Sequence, residues 1–108
     1  MKTLVVFRVF KKGDVIALFP EIPGDCTGRY CESYQHIGQH GSADYDGLMS
    51  ITRPATLDEY ASLAGELQGA PYEYELDIRQ RATRVSRSRR YAEIDRVYGG
   101  RTAVAAVV

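Results

Sequence analysis

Apolar positions along the chain fall into short runs whose spacing changes from one segment to the next. Thr3 to Phe10 is β-branched, aromatic and nearly all apolar, which predicts a strand covered on both faces or near a sheet centre. Lys11-Lys12-Gly13-Asp14 makes a turn into Val15 to Phe19, a second apolar run stopped by Pro20. The pair predicts a hairpin with a four-residue loop. Pro20 to Arg29 is broken by Pro20, Pro23, Gly24 and Gly28 and is expected to be a loop. Cys31 to Ile37 predicts a third strand, with Tyr34 and His36 on one face and Ser33, Gln35 and Ile37 on the other. Gly38, Gly41 and Gly47 mark a turn region, able to bring backbone amides close to a ligand, before Leu48-Met49-Ser50-Ile51.

The period then becomes helical. Thr56 followed by Glu59 is a capping box, and Leu57, Tyr60, Ala61, Leu63, Ala64 and Leu67 form one stripe that Gly69 and Pro71 end. Tyr72 to Arg79 alternates apolar and charged residues, which predicts a strand with one face on the core. From Ala82 to Tyr98, Val85, Ala92, Ile94 and Val97 are scattered among arginines, and a polar helix closed by Gly99-Gly100 is expected. The expected fold is α+β: an antiparallel sheet of about four strands (hairpin, third strand, helix, fourth strand), one packed helix and a C-terminal Arg-rich helix. Residues 1–98 form one domain in this reading, and 99–108 a short apolar tail, either frayed or added as an edge strand.

Charge alters this picture only locally. Fourteen Lys/Arg balance fourteen Asp/Glu, which excludes a wholesale DNA mimic and a uniformly basic DNA coat. Residues 1–60 hold six basic against eight acidic side chains (−2), and residues 61–108 hold eight against six (+2). Within the second half, Arg79, Arg81, Arg84, Arg87, Arg89 and Arg90 occupy twelve positions with no acid among them, a local charge of +6. Arg8 interrupts the first apolar run well short of a signal-peptide core, and no run approaches membrane-spanning length. A cytoplasmic protein with no membrane partner is expected, with Cys26 and Cys31 as thiols.

All the cysteines and histidines lie in one fifteen-residue window, Cys26 to His40. Cys26, Cys31, His36 and His40 are candidate zinc ligands by type. Their spacing is not that of a common finger, and an extended chain would put Cys31 and His36 on opposite faces, so no cofactor is expected. His36 and His40 are also the candidate acid/base pair, arranged for a nuclease in which one imidazole takes a proton and the other gives one. Ordinary loop histidines bonded to backbone are the plainer reading.

The arginines suggest phosphates. Arg79 and Arg81 share a strand face if the strand runs that far, and Arg84, Arg87 and Arg90 recur every three residues along one helix side. Tyr91 and Tyr98 are nearby for stacking. DNA or RNA is one candidate partner of this patch and an acidic protein the other, since no nucleic-acid reader motif is present. Tyr34, His36, Gln39 and His40 form a second candidate contact surface, of the composition that dominates protein interfaces. Phosphate-binding glycine loops, G-x-S-x-G and H-E-x-x-H are absent from the sequence.

Phe7-Arg8-Val9-Phe10, Val15 to Pro20, Cys31 to Gly41 and Thr52-Arg53-Pro54-Ala55-Thr56 together resemble a group of small uncharacterised proteins carried by bacterial phages, plasmids and other mobile elements. The resemblance implies a setting: such proteins often bind one host component and block it. A non-enzymatic inhibitor of a host protein or ribonucleoprotein, of the anti-CRISPR or anti-defence type, is the function expected. A nucleic-acid-binding regulator using Arg79, Arg81, Arg84, Arg87 and Arg90 is the alternative, and a His-dependent or metal-dependent nuclease the third.

Overall fold

The structure, a computed structural model, describes residues 2–36 and 38–107, the last ten of them by backbone alone. Among the described residues nine elements form an α+β domain: β1 (Thr3–Val9), β2 (Val15–Pro23), β3 (Cys31–Tyr34), β4 (His40–Ala43), α1 (Tyr45–Ile51), β5 (Arg53–Pro54), α2 (Leu57–Gln68), β6 (Leu76–Arg79) and α3 (Ser86–Val107). The strands make one sheet in the order β4-β3-β2-β1-β5, with β6 also paired to β1. β1 is thus central. Its first half lies beside β6 (Thr3↔Leu76 to Val6↔Arg79) and its last residues beside β5 (Arg8↔Pro54, Val9↔Arg53).

A strand covered on both faces explains the unbroken apolar run. Val5 and Phe7 point with Ala17, Phe19 and Tyr34 toward Leu63, Ala64 and Leu67 of α2. Leu4 and Val6 point the other way with Ile16, Leu18 and Cys31, toward Tyr45, Leu48 and Met49 of α1. Thr56 caps α2 as expected, its side chain accepting from the Glu59 amide while the Glu59 carboxylate accepts from the Thr56 amide.

The sheet differs from expectation in four places. It has six strands rather than four, and β6 runs parallel to β1, because α2 carries the chain back to the end of the sheet where β1 starts. β2 continues past Pro20 to Pro23: its register with β3 jumps between Phe19 and Pro23, and a bulge tolerates a residue with no amide hydrogen. β3 stops at Tyr34; Gly38 takes φ 79°, and the Gln39 carbonyl accepts from the Gln35 amide just before β4. Alternation over residues 72–79 yields a strand only from Leu76, because residues 70–74 wrap the end of α2. There the Glu73 and Tyr74 amides donate to the Gly69 and Leu67 carbonyls (2.8 and 2.9 Å), and Glu73 takes φ 52°.

α3 continues through Gly99-Gly100 to Val107, so the expected break is absent and the backbone of residues 99–107 is helix, not an edge strand. Ile37, Val108 and the Tyr98 side chain, each given a place in the sequence reading, lie outside the described residues. Among the described residues no helix is long and apolar enough to cross a membrane.

Candidate functional site

α1 covers the sheet face formed by Leu4, Val6 and Arg8, α3 starts beside the end of β2 at Pro20 and Glu21, and a cleft of about 570 Å³ opens between them. Six arginines line it: Arg8 from β1, Arg29 from the loop before β3, Arg81 and Arg84 from the segment before α3, and Arg87 and Arg90 from α3 itself. Sequence spacing had grouped four of these. Arg8 and Arg29 join them only because β1 and the loop beside β2 come together in the fold.

The six divide by environment. Arg8 is 6% exposed and closes the C-terminal end of α1, its Nε donating to Thr52 Oγ1 (2.9 Å) and its Nη2 to the Thr52 and Met49 carbonyls (2.5 and 3.1 Å). Burial lowers its pKa; of the nearby charges Tyr45 raises it and Arg81 lowers it further. Arg90, also 6% exposed, donates from Nε to the Gly28 carbonyl (2.7 Å) and from Nη1 to that of Pro20 (2.8 Å). These bonds fasten α3 to the bulge of β2 and to the loop that follows it. Gly28 is required beneath it, with φ 75° and space for a Cβ closed off by Tyr91 and Ile94 at 2.9–3.1 Å. Arg29, Arg81, Arg84 and Arg87 are exposed, and their guanidiniums have no carboxylate partner among the described residues.

The segment carrying Arg81, Arg84 and Arg87 is held firmly. Ala82 donates its amide to Tyr45 Oη (2.7 Å), and Thr83 donates to Ser86 Oγ (3.1 Å). Ser86 is buried and donates in turn to Glu21 Oε2 (2.9 Å), to which Arg89 is also paired at 3.3 Å. The first turn of α3 contains no acidic residue. Cationic side chains at the positive end of a helix are unfavourable by about 0.3–1 kcal/mol each at low ionic strength. Glu21 offsets part of this. Arg79 is elsewhere, on β6, paired with Asp77 at 3.2 Å.

The histidine segment has a different character. Tyr34 is buried; its hydroxyl donates to Glu66 Oε1 (2.8 Å) and accepts from the Gly38 amide (3.1 Å), and burial is the main cause of its raised pKa. That position serves the core and corrects the expectation that Tyr34 forms part of a contact surface. His36 Nδ1 lies 2.7 Å from Glu66 Oε2, and His40 Nδ1 3.7 Å from Glu32 Oε1. The His40 ring packs edge-on to Tyr34 and Tyr72 at 4.9 and 5.2 Å. Gln39 shapes the turn, accepting from the Gln35 amide and donating to the His36 carbonyl. Each histidine thus has its own carboxylate and helps pin the β3–β4 turn to α2 or β3.

The four candidate zinc ligands are not brought together. Cys31 is buried on the α1 face, Cys26 is exposed in the loop, and His36 and His40 belong to the Tyr34 face. Among the described residues no group of three or more His, Cys, Asp or Glu side chains is placed to hold a metal ion. Comparison with known proteins finds no matching family model, no matching curated protein and no matching solved structure.

Proposed function

We propose that this chain is a small non-enzymatic binding protein that holds an anionic macromolecule, a ribonucleoprotein through its nucleic acid, in the arginine-lined cleft. One observation carries the reading: four exposed guanidiniums without carboxylate partners surround a single cleft beside the positive end of α3. Arginine contacts phosphate oxygens in bidentate fashion and stays charged at every physiological pH. Arg8 and Arg90 form the fixed floor, and Arg29, Arg81, Arg84 and Arg87 supply the charge facing solvent. The resemblance to mobile-element proteins supports a host ribonucleoprotein as the target and occupation of its surface as the mode of inhibition.

The test is a tagged pull-down from bacterial lysate, with and without nuclease, using the wild type and an Arg84→Ala/Arg87→Ala variant. The reading predicts a ribonucleoprotein that nuclease releases and that the variant fails to capture. A protein retained equally after nuclease and by the variant would contradict it and return the surface to protein–protein recognition.

A further inference from the structure

The cleft is not uniformly basic. Asp44 and Asp46, at the start of α1, line it together with the arginines. Asp44 is occupied as the cap of α1, where its side chain accepts from the Gly47 amide (3.2 Å). Asp46 is exposed and its carboxylate has no hydrogen bond or ion pair among the described residues, although guanidiniums line the same space. A cleft meant for an acidic peptide would gain nothing from such a carboxylate and would lose affinity through like-charge repulsion. A ligand with a phosphate at one end and hydrogen-bond donors at the other would use both.

Resting on the reading of the cleft as an anion site, we infer that its ligand is single-stranded RNA, one nucleotide entering with its phosphate on the arginines and a ribose 2′-hydroxyl donating to Asp46. Two further observations favour an unpaired ribonucleotide. The volume, about 570 Å³, is in the range of small-molecule pockets, whereas a duplex presents its phosphates on a convex surface that meets only the rim. Beside the cleft, Tyr91 is 37% exposed and has the guanidiniums of Arg87 and Arg90 at 5.9 and 6.0 Å from its ring centroid. An aromatic ring flanked by guanidiniums is the kind of platform on which an unstacked base is held without regard to sequence.

The 2′-hydroxyl separates RNA from DNA when the bases are kept the same. Fluorescence anisotropy with labelled oligouridylate and oligodeoxyuridylate of about twelve nucleotides therefore reads the inference directly. The ribo-oligomer is expected to bind about tenfold more tightly, as one charge-assisted hydrogen bond allows. Asp46→Asn should shrink that ratio to about twofold or less while leaving binding of the deoxy-oligomer equal or tighter, since a repulsive charge is removed. Circular dichroism confirms that the variant is folded. Equal affinity for the two oligomers, or a ratio unchanged by Asp46→Asn, overturns the ribose assignment and leaves the anion site standing. If neither oligomer binds and polyaspartate does, the reading on which the inference rests falls as well.

Discussion

Arg87 and Arg90 lie one turn apart on α3 and have opposite surroundings. Arg90 is buried with two of its nitrogens on the carbonyls of Pro20 and Gly28, whereas Arg87 is exposed beside Tyr91. Their i, i+3 spacing was legible in the sequence; the difference between them was not, because it depends on a bulge in β2 that places the Pro20 carbonyl under the helix. The cysteines differ in the same way. Cys26 is exposed, while Cys31 is buried and its thiol pushed up to about 11, chiefly by burial. A thiol reagent such as dithionitrobenzoate at neutral pH should therefore modify Cys26 quickly and Cys31 only when the protein is unfolded. Rapid modification of both in native buffer would contradict the placement of Cys31 against α1. Period-two reasoning had already separated Cys31 from His36, and the fold separates them further by putting each on its own side of the sheet.

At the scale of elements, the parts that were legible are those whose own residues decide them. The β1–β2 hairpin follows from two apolar runs and a turn, and α2 from a capping box and a stripe that meets the sheet through Leu63, Ala64 and Leu67. β4, α1 and β5 were not legible. They are short, β4 is polar and exposed at three of its four residues, and each exists only against a neighbour: β4 on β3, β5 on β1, and α1 through the Arg8 guanidinium at its end. The α2 cap also gives a pH dependence. Arg53 holds the Glu59 carboxyl at about 2, from an ordinary 4.5, by two hydrogen bonds of 2.8 and 2.6 Å, with the Thr56 amide helping. The folded value is the lower one, so this contribution is present in full above the ordinary carboxylate range and is lost as pH falls toward 2. The pair is exposed and the effect small. Glu59→Gln keeps the reciprocal cap but removes the charge. Its melting temperature should lie slightly below that of the wild type at neutral pH, and the gap should close as pH drops from about 4.5 toward 2. A gap that persists or widens in acid would mean that the charge is not what Arg53 stabilises.

For the whole molecule, zero net charge conceals a positive cleft that no single segment encodes. The Arg79–Arg90 cluster was visible along the chain, although Arg79 pairs with Asp77 and does not line the cleft. Arg8 looked like an interruption in a strand and Arg29 like a loop residue, and only the placing of α1 on the sheet and of α3 beside the end of β2 brings both into the same wall. Salt dependence of nucleic-acid binding tests this account most directly, because the slope of log affinity against log salt counts the phosphates engaged. Oligouridylate binding should be measured at several salt concentrations for the wild type and for Arg84→Ala/Arg87→Ala. The account predicts uniformly weaker binding by the variant, with a slope shallower by about 1.4, the value for two single-strand phosphate contacts. It also predicts a melting temperature close to that of the wild type, since removing two cations from the positive end of α3 offsets the lost contact of Arg87 with the Tyr91 ring. Unchanged affinity and slope in a folded variant would contradict the account and remove the cleft from the binding surface.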